Sequence, residues 1–303
     1  MMTILDAMDD DRVFGRWFRG PSWDAWRAFL AALFALPMTD AQLALYRYHT
    51  GRQTPPAIPC REAWVCCGRR AGKSIIAALI AVYLSAFRDY SAYLGPGEVA
   101  TGLTVCPDRK QSRIIARFQR GFCAGIPSLA ALVEGETKES LELSNGTLLE
   151  VGTASDKTLR GYTCFFIDND ECCFLPTENS AEPDREILIA ERPCLVSLPG
   201  SLLLNTSTPY ARRGCMWDAY QDHYAADGDP VLFWKGSSLE MNPSLDAAII
   251  AAAFEADSAA ADAEWGGNFR SDCEKLFTVE ALEACTDYDR PLILPPDFEE
   301  EVA

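Results

Sequence analysis

Apolar residues recur along this chain in two rhythms, and the switches between them mark out its elements. Residues 23–36, WDAWRAFLAALFAL, are apolar at helical spacing and stop at Pro37, and 38–49, MTDAQLALYRYH, predict a second helix capped by Thr39 or Asp40. AWVCC (63–67) is short and continuously apolar, as a buried strand should be, while SIIAALIAVYLSAF (74–87) has helical length and is apolar nearly all round. VATGLTVCP (99–107) predicts another strand, and DRKQSRIIARFQRGF (108–122) a helix bearing Arg109, Lys110, Arg113, Arg117 and Arg120. Asn145-Gly146 between the apolar runs of LELSNGTLLEVG marks a hairpin. TCFFI (163–167), SLLLNTST (201–208) and PVLFWKGS (230–237) predict three more strands.

Strands alternating with helices argue for an α/β fold with a mainly parallel sheet covered on both faces, the hairpin being an addition. The pattern divides the chain into a helical lead-in over 1–50, a core over 51–241 and an Ala-rich helical region over 242–303 that ends in RPLILPPDFEEEVA, which reads as a linker. There is no internal repeat.

Half of the 303 residues are hydrophobic, enough for a sizeable core, and the net charge of -17 disfavours a broadly basic nucleic-acid surface. Contact with DNA would have to come from local clusters such as the arginine-bearing helix or Arg212-Arg213. The twelve cysteines form no C-x-x-C and meet only two histidines, so they read as small buried hydrophobes rather than zinc ligands. The N-terminus is acidic, unlike a secretory signal, and the apolar stretches fall short of the ~20 residues that span a bilayer. A soluble chain with no membrane partner is expected.

The chemistry gathers at two strand ends. CCGRRAGKS (66–74) lies between a predicted buried strand and an apolar helix, where backbone N–H groups and the helix dipole converge on phosphate. Gly72, Lys73 and Ser74 are in place, but Cys67 stands at the usual first-glycine position and Gly68 follows it. Lys73 supplies a point charge and Ser74 a hydroxyl for Mg2+. About a hundred residues on, FFIDNDE ends a strand in acids: Asp170 is placed to hold Mg2+ through water and Glu171 to deprotonate an attacking water. Asp168 is the alternative metal-side acid if the strand stops at Ile167.

The segments YRYHTGRQTPP, EAWVCCGRRAGKS, RGYT before DE, NSAEPDREILIAERPCL, LLLNTSTPYARRGCMWDAY and EMNPSL, in that order, resemble the large terminase subunits of tailed bacteriophages. The likeness covers most of the chain after about residue 38. That family writes its phosphate loop G-R-x-x-G-K-[ST], so the shifted glycine is expected. The resemblance implies a RecA-like, additional-strand (ASCE) P-loop NTPase that couples ATP hydrolysis to movement of double-stranded DNA into a procapsid. It implies ATP and Mg2+ as cofactors and an oligomeric ring in the host cytoplasm, docked on the procapsid, with the portal protein and the small terminase subunit as partners.

Carried over by position, Gly68, Arg69, Arg70, Ala71, Gly72, Lys73 and Ser74 hold phosphate, Ser74 and Asp170 the metal, and Glu171 the water. Thr206, Ser207 and Thr208 form the coupling motif, and Arg160 matches an arginine that reaches a neighbour's ATP. Gln42 or Gln53 would contact adenine. Asp168 and Asn169 depart from the family's apolar strand, so that strand end is expected to be distorted or shorter. The family's nuclease domain would begin about where this sequence stops, so ATP hydrolysis without DNA cleavage is expected. A small-molecule P-loop kinase, or a nucleotide-binding scaffold without turnover, is the alternative reading.

Overall fold

The computed structural model describes residues 2–153, 161–175 and 183–270. Eight strands form one sheet: β1 (Glu62–Cys67), β2 (Ala100–Cys106), β3 (Val133–Glu136), β4 (Ser140–Leu143), β5 (Thr147–Thr153), β6 (Thr163–Asp170), β7 (Leu202–Ser207) and β8 (Val231–Gly236). Their order is β3-β4-β5-β2-β6-β7-β1-β8. Pairing is parallel from β5 through β8, and antiparallel only where β4 meets its two neighbours. The Asn145-Gly146 turn joins β4 to β5 with Gly146 at φ +79°, the left-handed backbone that such a turn requires. The expected strands all form. β3 is an addition, because VEGE alternates and offers too little apolar surface to signal a strand.

The helices are α1 (Ile4–Asp9), α2 (Asp24–Leu33), α3 (Asp40–Thr50), α4 (Lys73–Phe87), α5 (Arg109–Gly125), α6 (Pro127–Ala130), α7 (Pro183–Glu191), α8 (Cys215–His223), α9 (Ser238–Met241), α10 (Ala247–Ala256) and α11 (Ser258–Ala261). Among the described residues none is long and apolar enough to cross a membrane. Thr39 caps α3 in a reciprocal capping box with Gln42.

Strand alternation sorts the core into two layers. Ala63, Val65 and Cys67 of β1 join Leu202 and Leu204 of β7 and Leu232 and Trp234 of β8 in a large layer that also holds α4 and the aromatic and aliphatic residues of the N-terminal helices, Ile4, Met8, Trp26 and Phe29 among them. Trp64 and Cys66 face the other way, with Leu203, Phe233, Leu188 and Met216. The N-terminal helices thus share the core of the sheet.

β6 breaks its own alternation once. Thr101 of β2 pairs with Cys164 but the next residue, Gly102, pairs with Phe166, so Phe165 is an inserted residue, a bulge. Phe165 and Phe166 both enter the larger layer, whereas Cys164 and Ile167 enter the smaller one. Gly102 makes the bulge possible: a Cβ there would lie 2.7 Å from Phe165 Cζ and 2.8 Å from Leu149 Cδ2. Because the bulge shifts the phase of every residue after it, Asp168 and Asp170 face the α4 side and Asn169 the opposite side. The strand is not shortened by its polar residues. It runs through Asp168 and Asn169 to Asp170, with all three buried.

Candidate functional site

The site lies at the carboxyl ends of β1, β6 and β7, where β1's chain leaves the sheet for α4. The strand inserted between the phosphate-loop strand β1 and the acid strand β6 is β7, the arrangement that defines the additional-strand class. Gly68 sits where any Cβ would collide with Ser238 Oγ and lie 2.6 Å from the Trp265 carbonyl oxygen. Gly72 takes φ +103°, left-handed backbone natural only to glycine, and hands the chain into α4. Arg70, a non-glycine residue at φ +62°, bears strain on the order of 1–3 kcal/mol to close this shortened loop.

The outer side of the loop is bound at every step. Ser238 Oγ donates to the Arg69 carbonyl at 2.6 Å, Asn242 Nδ2 to that of Arg70 at 3.2 Å, and the indole Nε1 of buried Trp26 to that of Ala71 at 2.7 Å. Three carbonyls are thereby turned outward. The inner side is open: the backbone N–H groups of Arg70, Ala71, Gly72, Lys73 and Ser74 have no acceptor among the described residues. Five donors without a described acceptor at the start of a 15-residue helix are what an anion needs.

Two of the loop residues expected to hold phosphate are committed elsewhere. The N–H of Gly68 donates to the Gly236 carbonyl at 3.1 Å, and that of Arg69 to the Glu264 carbonyl at 2.6 Å. The Arg69 guanidinium pairs with the Glu264 carboxylate. These contacts anchor the loop, while Arg70 has its side chain exposed and in no ion pair with a described residue.

Lys73, 6% exposed, donates from Nζ to the Cys67 carbonyl at 2.9 Å and to Thr208 Oγ1 at 3.0 Å, with Glu171 Oε1 at 3.7 Å. Asp170 Oδ1 accepts from Thr206 Oγ1 at 3.1 Å and lies 3.4 Å from Ser74 Oγ. Its Oδ2 accepts from Gln111 Nε2 at 2.6 Å. Burial and the adjacent Glu171 push the Asp170 carboxyl up, against the pull of Gln111, Lys73 and Thr206. A buried acid short of positive charge is what a divalent cation would relieve. One hydroxyl and one carboxylate, both oxygen donors, suit Mg2+, which takes its remaining ligands from phosphate and water.

Glu171 follows at φ +55°, a turn that swings its carboxylate out of the strand line. Its Oε2 accepts from the Thr208 N–H at 3.0 Å and from Ser207 Oγ at 3.2 Å. Thr206, Ser207 and Thr208 therefore touch, one after another, Asp170, Glu171 and Lys73.

Asp168 is away from this cluster in chemistry although not in sequence. It is fully buried, and neither carboxylate oxygen has a hydrogen-bond partner among the described residues. Burial, then the neighbouring Asp170 and Glu191, hold its carboxyl well above the usual range. On the opposite face Asn169 Nδ2 donates to Glu191 Oε2 at 2.7 Å and to Asn205 Oδ1 at 2.8 Å, tying β6, β7 and α7 together.

Arg160 lies outside the described residues. Gln42 spends its side chain on the α3 cap, accepting from the Thr39 N–H at 2.9 Å. Gln53 is exposed, its N–H on Asp227. Neither is hydrogen-bonded to the loop. Sequence reasoning missed Trp26, Gln111 and Ser238: no motif names them, and each reaches the site from an element remote in sequence. Only the position of Gln111 in the first turn after a predicted strand hinted at a strand-end role.

Neither protein-family models nor curated proteins give a match to this chain. Solved structures do. The large terminase ATPase domain of Thermus phage P74-26 superposes with a TM-score of 0.56 at 17% identity, over 80% of this chain and 97% of that one. A point mutant of the same domain gives 0.54 at 15% identity, over 80% and 98%. The additional strand between phosphate loop and acids, and this superposition over nearly the whole of that domain, agree: the chain has the fold of a phage large-terminase ATPase domain.

Proposed function

We propose that this chain is an ATP-hydrolysing motor that drives double-stranded DNA into a viral procapsid. The observation that carries the reading is the phosphate loop's one-sidedness: its carbonyls are drawn outward by Trp26, Ser238 and Asn242, and the five N–H groups from Arg70 to Ser74 are left for an anion beside Lys73. In this reading Lys73 and the loop hold the β- and γ-phosphates, and Ser74 and Asp170 hold Mg2+, whose charge offsets that of the phosphates. Glu171 accepts the proton of the attacking water. Arg70, and Arg160 from a neighbouring subunit in a ring, neutralise charge as it develops, and such an arginine is worth about 10³-fold or more.

Thr208 is placed to report the loss of γ-phosphate, because its hydroxyl takes a hydrogen bond from Lys73 and its N–H gives one to Glu171. Movement of either charged group is felt at the end of β7. For DNA, α5 offers Arg109, Lys110, Arg113 and Arg117, all exposed and in no ion pair with a described residue despite the chain's charge of -17. Arg212 and Arg213 are exposed as well. Such contacts are sequence-independent and weaken with salt. The portal protein and small terminase subunit are the partners of this reading, in the infected host's cytoplasm.

The experiment is phosphate release and nucleotide binding on three chains. Wild type should release phosphate from ATP, faster with duplex DNA; Glu171→Gln should bind ATP yet turn over at least about 100-fold more slowly; Lys73→Ala should lose binding. Full turnover by Glu171→Gln, or transfer of phosphate to a metabolite acceptor in place of water, would overturn the reading.

A further inference from the structure

The contact between Gln111 and Asp170 has no counterpart in the motifs that define the site. Gln111 lies in the first turn of α5, and Asp108 fixes that turn by accepting from the Lys110 N–H at 2.7 Å and the Gln111 N–H at 2.9 Å. From there the Gln111 amide reaches across to β6 and donates 2.6 Å to Asp170 Oδ2. Only the amide nitrogen can make this bond, since a carboxylate offers acceptors alone. With Oδ2 held by α5, the remaining oxygen, Oδ1, is the one turned toward Ser74 and Thr206. The two oxygens of one carboxylate are thus assigned by two different elements.

The same helix carries the basic stripe. Arg109 and Arg113 stand two residues to either side of Gln111, about 200° round the helix from it, and Arg117 continues the line. Gln111 faces in while the arginines face out. α5 runs for 17 residues, so a force on its outer face reaches its first turn through hydrogen-bonded backbone rather than through a loop.

We infer that Gln111 is a positioning residue that links α5 to the metal-side acid, so that a duplex phosphate backbone held on the outer face of α5 raises turnover through the orientation of Asp170. The inference rests on the motor reading above and adds a route by which the polyanion acts on the ATP site. Gln111 touches neither phosphate nor water in this assignment; it acts by fixing which Asp170 oxygen points at Ser74.

The test is steady-state kinetics on the full chain for wild type, Gln111→Leu, Gln111→Asn and Gln111→Glu, with and without linear duplex DNA, beside duplex binding by fluorescence anisotropy. Gln111→Leu should lower kcat about tenfold, the scale of an outer-shell partner's loss, with the KM for ATP moved less than about twofold. The ratio of duplex-stimulated to basal rate should fall to near one while duplex affinity stays at the wild-type value. Gln111→Asn, which keeps the amide but loses the reach, should behave as Gln111→Leu. Gln111→Glu, which sets a third acid beside Asp170 and Glu171, should be slower still. Thermal unfolding of the Asn variant near the wild-type midpoint shows that folding is not the cause. A stimulated wild type whose Gln111→Leu variant is stimulated by the same ratio, or loses duplex affinity in proportion to rate, overturns the assignment of Gln111 alone. A wild-type chain inert toward ATP overturns the motor reading and the inference with it.

Discussion

The end of β6 and its interior place two aspartates on one face of one strand, and treat them in opposite ways. Asp170 accepts hydrogen bonds from Thr206 and Gln111, faces Ser74, and has Lys73 among the groups that pull its carboxyl down. Asp168, one pleat deeper, has no hydrogen-bond partner at either oxygen among the described residues, and burial with the like charges of Asp170 and Glu191 pushes its carboxyl up. The difference is one of access rather than of residue type. At the strand end, helix N-termini and loops deliver donors to a carboxylate; inside the sheet only side chains from neighbouring strands can, and of the two residues in register with Asp168, Leu204 of β7 has no donor and Thr104 of β2 makes no hydrogen bond to it. Burial without a donor disfavours the charged acid and costs the fold stability.

The comparison breaks most visibly in catalysis. Asp170→Asn should lower ATP turnover by about 100-fold or more, since it removes a charged oxygen from the proposed metal site, whereas Asp168→Asn should leave turnover within about threefold. Phosphate release at saturating ATP decides between them, and the reverse ranking would make Asp168 the metal-side acid.

The next effect tests how the two acids come to share a face. Gly102→Ala puts a methyl group against Phe165 and Leu149, and overpacking of this kind costs about 1–3 kcal/mol. If the bulge answers by relaxing, Asp170 turns away from Ser74, so turnover should fall together with the denaturant midpoint. A variant that is destabilised yet fully active would show that the bulge does not set the phase of the strand end.

Asp168→Leu sharpens the contrast from the side of stability. Removing an unsatisfied buried carboxyl and filling its place with an apolar group should stabilise the chain by about 1–2 kcal/mol, seen as a raised midpoint in chemical denaturation. A lowered midpoint would mean that Asp168 has a polar role in the folded protein.

On the opposite face the effect depends on pH and vanishes toward acid. Burial pushes the Glu191 carboxyl up to about 8, so the folded chain binds a proton that the unfolded chain, titrating near 4.5, has already released at neutral pH. Stability should therefore decline as pH rises from the unfolded value toward 8. Glu191→Gln, which can still accept from Asn169, should flatten this decline and gain most over wild type at pH 8. Thermal melts between pH 5 and pH 8 measure it, and parallel curves would remove Glu191 as the source.

Much of this was legible in the chain. Seven of the strands, the hairpin and the loop-before-helix at Gly68–Ser74 follow from local apolar runs and turn chemistry, which act within a few residues. The acids closing β6 were legible as a strand end, and the fold sets Asp170 beside Ser74 and Glu171 beside Lys73. The fate of Arg69 was not legible, because its partner Glu264 lies some 195 residues away and nothing in GRRAGKS distinguishes an anchoring arginine from a phosphate-facing one. Gln42 likewise reads as a free amide in sequence and proves to be a helix cap.

What the sequence by itself determined is the set of elements and the chemistry at their ends: period-2 and period-3.6 patterns, glycines at Gly72 and Gly146 where the backbone must be left-handed, and acids closing an apolar run. What only the tertiary structure decided is direction. A single inserted residue, Phe165, opposite the missing side chain of Gly102, rotates the strand end so that Asp170 meets Ser74 and Asn169 meets Glu191. Trp26 from one segment, and Ser238 and Asn242 from another, hold the loop carbonyls and leave its N–H groups without acceptors among the described residues. Local pattern cannot encode either outcome, because a strand's phase and a loop's facing are fixed by which neighbours fill the space beside them.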